Sequence, residues 1–383
     1  MPVAQADHLP LLHCLHQQAD DKTCFLKLVG NQVGTETEKA GKSRRTEKVF
    51  ATAEEAAAYF ERQEWGLLKK GFVLHNGAAT PGQPQLHCYI GAGYTGCLAL
   101  AGTPAGLFVY KHGWFRTPTD QQDFMVQLGA AGQVQATIEL PTVLAWDMHY
   151  QPAWHALVLN LDHTIFSYDL ASSQFQMLSA SGRSPASFVA TAAGRTAFTA
   201  NNELVVLGAD HRALFRLPFS IQILRGTVPF AAALAHNGEL IALHISPGEV
   251  QLRSAFNGNL LHTYTGEFGL VRQLAFAGGD QLLLLLELHG NRLRCFEVAQ
   301  RQEVELPLRG GEDWPAAQAC CLNADQSRLA VLKGTWVELY DGASWQCLQR
   351  FRLAHCVKTA KLRFMDDALG VRTDYGCFSL YRV

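Results

Sequence analysis

Apolar residues fall in short runs along most of the chain, and turn-forming Gly, Asn, Asp or Pro residues bound each run. The clearest example starts at the Ala235–Gly238 turn, continues through Glu239–His244 and Glu249–Arg253, and ends at Leu260–Tyr264. A second example spans Asn323–Arg350. Alternating or continuously apolar runs of this kind are typical of β-strands, so the pattern predicts a mainly β protein built from repeated strand units.

The units recur at a regular spacing. The last apolar residue of each predicted first strand lies 42 to 48 residues from the next one. These landmarks are Leu100, Met148, Ala190, Leu234, Phe276, Leu322 and Phe364. A repeat of this length is typical of a β-propeller blade, so the sequence predicts seven blades. Because the chain ends in the third strand of its last unit, we expect the run Gln85–Ile90 to supply the missing strand; an eight-bladed or irregular ring is the alternative.

The repeats resemble the WD40 family from about residue 84 to the end of the chain. Ala235–Gly266 and Ala324–Phe351 carry the resemblance best, and Tyr168-Asp169 and Tyr340-Asp341 stand where the family has Trp-Asp. The copies depart from the family pattern, because Phe296-Glu297 occupies the same position in another unit and the Gly-His of the family is missing. The resemblance implies a WD40-like seven-bladed propeller, a fold that depends on alternation and turns more than on these motif residues.

The chain ahead of the repeats follows a different pattern. The segment from Thr52 to Gly71 predicts a helix that begins with a capping box formed by Thr52 and Glu55. Its apolar stripe consists of Ala56, Phe60 and Leu67. Strand-like runs precede the helix at Cys24–Val29 and Thr46–Phe50. This first part of the chain therefore predicts a small α+β unit.

Residues 24–74 resemble a WGR domain. The matching stretches are Phe25–Val33, the Lys48–Phe50 strand that leads into the helix, and Leu68–Phe72. The Trp-Gly-Arg motif that names the family would fall near Glu36–Glu38 and is absent. In relatives that bind DNA ends this motif contacts the DNA, whereas a carboxylate in its place would repel phosphate, so the resemblance implies the fold more than the activity. The expected organisation is an N-terminal extension (1–23), the WGR-like domain (24–74), a Gly- and Pro-rich linker (75–84) and the propeller (85–383).

Composition narrows the classes of function. The net charge of −2 over 383 residues leaves no overall charge for binding a polyanion. The first 75 residues hold ten Lys and Arg and ten Asp and Glu, so the small domain is neutral. Within it lies one basic cluster, which suits either a solvated face or a contact with nucleic-acid phosphates. The cluster consists of Lys39, Lys42, Arg44, Arg45 and Lys48.

Several features predict a cytoplasmic protein. The first 17 residues lack the basic start and the cleavage pattern of a secretory signal, and the longest apolar run, Leu282–Leu286, is too short to span a membrane. The ten cysteines show neither a CxxC pair nor a regular spacing. His13, Cys14 and His16 are residue types that bind soft metals, but no second pair lies nearby in the sequence, so we expect no metal site.

Two motifs resemble nucleotide-binding loops. Gly91–Gly96 matches GxGxxG, but a strand and a turn follow it where a pyrophosphate site needs the start of a helix. Gly41–Ser43 resembles the end of a phosphate loop, but Glu36 stands where the first glycine should be. We therefore interpret the first motif as a connection between strands and the second as a β-turn, and we expect no cofactor.

The sequence contains no GxSxG elbow, no HExxH helix and no Cys nucleophile with an identifiable His partner, so we predict no catalytic residues. A propeller can nevertheless assemble a site from distant blades at its central channel. Asp147, His149 and Arg272 lie near predicted first strands and are the candidates for such a site. We interpret them as structural residues, because most buried polar groups are simply satisfied by hydrogen bonds.

Loops are the usual functional surface of a ring of blades. Two long connections combine aromatic and charged residues, the types that anchor protein interfaces. The candidate partner-binding residues are Trp114, Phe115, Arg116, Glu312, Asp313 and Trp314. The alternative is that each aromatic side chain packs beneath its own loop.

These observations favour a non-enzymatic scaffold for protein–protein interaction. Bacterial proteins that resemble this combination of a degenerate WGR domain and a propeller imply a multi-protein system, with a MoxR-type AAA+ ATPase and a von Willebrand A domain protein as partners. Nucleic-acid binding through the WGR-like domain is the alternative function. A third hypothesis is an enzyme whose site lies in the central channel.

Overall fold

Short strands and tight turns account for most of the structure, as the apolar pattern predicts. The computed structural model describes residues 11–91, 96–113, 121–162, 164–180, 188–200, 203–218, 231–290, 292–306, 308–311, 317–356 and 358–383. Within these ranges the protein is mainly β and contains a single α-helix. No helix in these ranges is both long and apolar enough to cross a membrane.

The first strands form an antiparallel meander, which we call the amino-terminal sheet. It consists of β1 (Leu11–Gln17), β2 (Lys22–Val29), β3 (Gln32–Lys39) and β4 (Lys42–Val49). A 3₁₀ turn at Gln18–Asp20 joins the first two strands. Ala40 and Gly41, both with positive φ, form the two-residue turn between β3 and β4. Of the turn expected at Gly41–Ser43, Gly41 lies in this turn, whereas Lys42 and Ser43 already belong to β4.

Helix α1 (Ala53–Leu68) packs on one face of the amino-terminal sheet. Its N-cap is Thr52, whose hydroxyl accepts a hydrogen bond from Glu55 N at 3.2 Å, as the capping box predicts. Gly71, at φ +83°, ends the last turn. The buried positions are Ala56, Phe60, Glu64 and Leu68, and Leu67 of the predicted stripe packs half-buried against the same core. After the helix come β5 (Val73–His75) and β6 (Pro84–Tyr89).

Six separate four-stranded antiparallel sheets follow, and each is one blade of a propeller. The first blade contains β7 (Leu100–Thr103), β8 (Gly106–Lys111), β9 (Phe124–Leu128) and β10 (Val134–Glu139), and the second contains β11 (Ala145–Gln151), β12 (Ala156–Leu161), β13 (Thr164–Asp169) and β14 (Gln174–Ala180). The third contains β15 (Val189–Ala192), β16 (Arg195–Ala200), β17 (Glu203–Leu207) and β18 (Ala213–Pro218). The fourth contains β19 (Ala232–Leu234), β20 (Leu240–Ser246), β21 (Glu249–Ser254) and β22 (Leu260–Thr265).

The fifth blade contains β23 (Val271–Ala277), β24 (Leu282–Glu287), β25 (Leu293–Glu297) and β26 (Gln302–Val304). The sixth contains β27 (Ala319–Leu322), β28 (Arg328–Lys333), β29 (Trp336–Asp341) and β30 (Cys347–Arg352). The chain then ends with β31 (Ala360–Met365), β32 (Ala368–Thr373) and β33 (Cys377–Arg382). A second 3₁₀ turn, Pro152–Trp154, lies between β11 and β12.

Burial explains the composition of the strands within a blade. The middle strands, such as β12 and β24, are almost wholly apolar and buried, because neighbouring blades cover both of their faces. The outermost strands, such as β10 and β18, alternate between half-buried and exposed positions. Continuous apolar runs therefore identify middle strands.

The seven landmark residues all fall on the innermost strands, which are β7, β11, β15, β19, β23, β27 and β31. Each of these strands contacts the next in this order, and β31 contacts β7, so the ring closes. The prediction of seven blades is nevertheless wrong, because the described residues form six separate four-stranded sheets. The last three strands instead belong to a nine-stranded sheet with the order β31-β32-β33-β6-β5-β1-β2-β3-β4.

The reason for this difference lies in how the missing strand is supplied. Strand β6 pairs with β33, as expected for the run Gln85–Ile90. The same β6 also pairs with β5, through Leu74 with His87 and His75 with Leu86, and β5 pairs with β1. The hydrogen-bonded sheet therefore runs without a break from the ring into the amino-terminal sheet, and β4 forms its far edge.

Candidate functional site

The expected interface loops fall outside the described residues: Trp114, Phe115 and Arg116 lie in 114–120, and Glu312, Asp313 and Trp314 lie in 312–316. Gly113 is the last described residue before the first loop, and its N–H donates a hydrogen bond to the Asp123 carboxylate at 2.8 Å. Tyr110 Oη donates to the same carboxylate at 2.6 Å. Before the second loop, Arg309 is bonded to the backbone of Trp345 and Cys347. Partner binding by these loops stays a prediction.

The aligned Tyr-Asp pairs have one shared role in the described structure. Tyr168 and Tyr340 are buried, while the Asp169 and Asp341 carboxylates accept hydrogen bonds from the backbone and hydroxyl of the serine three residues later. Each aspartate therefore fixes the turn that follows the third strand of its blade. The motif positions found by sequence reasoning stabilise turns in these blades.

The basic cluster is divided between two faces of the amino-terminal sheet. Alternation along β3 and β4 places Lys39, Lys42, Arg44 and Lys48 on the face that carries α1, and Arg45 on the opposite face. Arg45 forms an ion pair with Glu47, and Lys39 lies 3.6 Å from Asp20. Lys48 Nζ lies 4.7 Å from the centre of the Tyr59 ring. The five cations therefore do not form a single patch.

Alternation along β1 also separates His13 from Cys14 and His16. Along β1, His13 points to the buried side whereas Cys14 and His16 lie in less buried positions, and His16 Nδ1 is 3.3 Å from Thr23 Oγ1. Across the described ranges, no group of three or more His, Cys, Asp or Glu side chains is arranged to hold a metal ion. Residues 92–95 of the GxGxxG match lie outside these ranges, and the next element is strand β7.

The inner strands line a central channel of about 1880 Å³. One wall carries an ion cluster, and only two of its members, Asp147 and His149, are among the candidates from the sequence. Asp147 on β11 accepts hydrogen bonds from Lys361 Nζ at 3.0 Å and from Arg363 Nη2 at 3.1 Å, both on β31. His149 Nε2 lies 3.3 Å from the same carboxylate. Of the three candidates Asp147, His149 and Arg272, the first two are therefore in one cluster.

The position of the ion cluster follows from the small residues of the strand between its members. Strand β7 lies between β31 and β11 in the ring, and its channel-lining residues include Ala101 and Gly102. Neither has a side chain long enough to separate the neighbouring strands. The long side chains of Lys361 and Arg363 therefore reach Asp147 in front of β7.

Electrostatics fix the charge states in the cluster. Burial alone would raise the pKa of the Asp147 carboxyl, but Lys361 and the neighbouring cationic groups hold it well below its usual value. Burial, and then the charge of Arg363, lower the pKa of His149. At neutral pH the cluster therefore contains a carboxylate, a neutral imidazole and two cations, with a net charge of about +1.

Arg272 lies apart from this cluster. Its guanidinium donates to the carbonyl oxygens of Gln318 and Leu288, both at 3.3 Å, and the neighbouring Gln273 side chain bonds to the backbone of Cys320. Arg272 therefore links β23 to Gln318, the residue before β27. Its positive charge faces no carboxylate among these contacts.

A second buried polar cluster joins α1 to the ring, and no local pattern in the sequence predicts it. Glu64, which is 2% exposed, accepts a hydrogen bond from His13 Nδ1 at 2.5 Å and from His355 Nε2 at 2.8 Å. Burial would raise the pKa of this carboxyl, but the two hydrogen bonds outweigh that effect and hold the pKa well below its usual value. Trp65, the next residue, stacks on Tyr375 with ring centres 4.4 Å apart.

His87 on β6 also lies in this cluster, which we call the junction between α1 and the ring. Its Nδ1 is 2.5 Å from Ser379 Oγ, and its ring centre is 5.7 Å from that of His355. Burial lowers the pKa of His87 to about 3, so this imidazole is neutral at physiological pH. The junction therefore combines one carboxylate with three histidines from β1, β6 and the connection before β31.

Comparison with models of protein families gives no match, and a search of curated proteins gives none either. The resemblance of residues 24–74 to a WGR domain rests on the residues quoted for it.

Proposed function

We propose that this protein is a non-enzymatic scaffold in a multi-protein bacterial system, and that a partner docks as an added strand along β4. One observation supports this most strongly. All eight residues of β4 are exposed, and β4 is the last strand of a continuous nine-stranded sheet. An exposed edge strand offers unpaired backbone groups for strand addition.

The register of the β3–β4 hairpin defines those backbone groups. In a two-residue hairpin the residues next to the turn form a hydrogen-bonded pair, and bonded and non-bonded pairs then alternate. Lys39 with Lys42 is the closing pair, so Lys42, Arg44, Thr46 and Lys48 bond to β3. The amides of the alternate residues point away from the sheet. These outward residues are Ser43, Arg45, Glu47 and Val49.

Charge indicates the chemistry of the partner strand. Strand β4 contains four cations, Lys42, Arg44, Arg45 and Lys48, and one anion, Glu47, which gives a net charge of +3. An extended acidic segment would be attracted to this edge and a basic one repelled. The exposed side chains of Val29 and Val49 add apolar contact area beside it.

The resemblance to bacterial WGR and propeller combinations suggests who supplies such a segment. On that analogy the partners are a MoxR-type AAA+ ATPase and a von Willebrand A domain protein. The ring and the amino-terminal sheet share one hydrogen-bonded sheet, which would hold a docked partner in a fixed orientation to the propeller faces.

Affinity purification from a nuclease-treated native lysate, at low and moderate salt, tests this proposal. The informative variant is Glu47→Pro, because proline removes one outward amide while leaving the β3–β4 hydrogen bonds intact. Glu47→Gln is the matched control, since it changes the charge but keeps the amide. We expect a stoichiometric protein partner with wild type and Glu47→Gln, and its loss with Glu47→Pro. Equal recovery with both variants would exclude strand addition at this edge.

Nucleic-acid binding remains the second candidate, and it has one supporting observation. Lys39, Lys42, Arg44 and Lys48 share the face of the sheet beside α1. This function predicts weak affinity that falls steeply with salt and is lost when Arg44, Arg45 and Lys48 are all changed to Glu. Affinity that does not change with salt concentration, or the absence of any binding to nucleic acid, would eliminate it.

A further inference from the structure

In the described part of the central channel, cationic side chains outnumber carboxylates. Among the described lining residues, the Lys and Arg side chains are Arg272, Lys358, Lys361 and Arg363, and the carboxylates are Asp147 and Asp366. We call these four cations the channel cations. Four cations against two carboxylates leave an excess of two positive charges on the lining of a protein whose net charge is −2.

The channel cations gather at one end of the channel. The inner strands repeat around the ring and run in the same direction, so their first residues share one end. Arg272 is the second residue of β23, Lys361 and Arg363 are the second and fourth residues of β31, and Lys358 precedes β31. Asp366 follows β31 and so lies towards the opposite end. At the end where the inner strands begin, four cations therefore face one carboxylate.

Asp147 does not exhaust the hydrogen-bonding capacity of these cations. Its two carboxylate oxygens receive Lys361 and Arg363, but Arg363 Nε is buried and has no hydrogen-bond partner. Arg272 donates one hydrogen bond from each Nη to a carbonyl oxygen, and these neutral acceptors do not neutralise its charge. Arg272 and Arg363 are half-buried, and a partly desolvated cation whose charge is not fully balanced favours an incoming anion.

The opposite wall of the channel leaves room for a ligand. Strands β15 and β19 present small side chains there, among them Ala190, Ala192, Ala232 and Ala233. The volume of about 1880 Å³ exceeds the range of roughly 300–1,000 Å³ that is usual for small-molecule pockets. The channel thus combines a cationic wall with an open, apolar wall.

We propose that this end of the channel binds a small organic anion through its phosphate or carboxylate groups. Arg363 and Lys361 contact the anion from one side and Arg272 from the other, while the alanines of β15 and β19 accommodate its apolar part. Asp147 is the counter-ion within the protein: it positions Lys361 and Arg363 and competes with the ligand for them. This site is independent of strand addition at β4, so either proposal can fail alone.

Because Asp147 competes with the ligand, replacing Asp147 and replacing a channel cation should change the affinity for the anion in opposite directions. Binding of pyrophosphate and of citrate to the full-length chain is measured by isothermal titration calorimetry at constant ionic strength, with chloride as the balancing anion. We expect Asp147→Asn to bind the anion more tightly than wild type, and Arg363→Gln to bind it roughly tenfold more weakly or worse, the usual effect of losing one hydrogen bond to a charged group. Tighter binding of pyrophosphate would indicate that the site recognises phosphate groups, and tighter binding of citrate would indicate that it recognises carboxylate groups.

Arg212→Gln is the matched control, because Arg212 is an exposed arginine whose side chain is 87% accessible. Lys361→Gln replaces Arg363→Gln if that variant does not fold by circular dichroism, and the same loss is expected. The proposal is overturned if neither probe binds wild type or Asp147→Asn, or if Arg212→Gln weakens binding as much as the channel variants do.

Discussion

Replacing Glu64 by alanine is expected to loosen α1 from the ring. The Glu64 carboxylate is 2% exposed and joins three parts of the chain, because it accepts hydrogen bonds from His13 on β1 and from His355 after β30. Alanine would leave both imidazoles buried without this partner. Removing one member of a buried charged or hydrogen-bonded group costs about 3–5 kcal/mol, and we expect a loss of that order in the free energy of unfolding.

The same helix provides the control. Glu61 lies one turn earlier and pairs with Arg352 at 3.8 Å, but both side chains are about half exposed. An exposed pair of this kind contributes less than about 1 kcal/mol, so Glu61→Ala should be nearly silent. Urea unfolding followed by circular dichroism measures both variants, and hydrogen–deuterium exchange of α1 shows where stability is lost. If Glu64→Ala and Glu61→Ala agree within about 1 kcal/mol, the junction does not depend on Glu64.

Two further predictions concern the same junction. The pKa of His87 is about 3 in the folded state and about 6.5 in the unfolded state, so between these pH values the unfolded state binds more protons than the folded state. The free energy of unfolding should therefore fall by up to about 1.4 kcal/mol for each pH unit as the pH is lowered from 6.5 to about 3. His87→Gln should flatten that slope in urea unfolding at stepped pH, and an unchanged slope would show that His87 does not set it. Gly376→Ala should lower the free energy of unfolding by more than about 1 kcal/mol, because Gly376 has a φ of +100° in the β32–β33 turn and an added Cβ would lie 2.6 Å from the Tyr89 ring. A variant as stable as wild type would contradict this.

Local patterns in the sequence predicted the features that depend on local structure. Strand alternation and turns located all seven inner strands, the Thr52 cap located the start of α1, and Gln85–Ile90 located the closing strand β6. The blade count failed because a repeat pattern counts strand units and does not show which sheet they join. Pairing of β5 with β6 merges the last unit with the amino-terminal sheet.

The side-chain clusters required contacts that are distant in sequence. Glu64 is 51 residues from His13 and 291 from His355, and Asp147 is 216 residues from Arg363. No spacing rule within one element links such residues. In contrast, the division of the basic cluster was open to sequence reasoning, because period-two alternation along one strand already separates Arg44 from Arg45.

The most direct test of the proposed scaffold function is hydrogen–deuterium exchange of β4 in the purified protein and in any complex recovered from lysate. Strand addition predicts that peptides covering residues 42–49 become protected in the complex, through the outward amides of Ser43, Arg45, Glu47 and Val49. Unchanged exchange across 42–49, with protection appearing on another surface, would contradict docking at this edge.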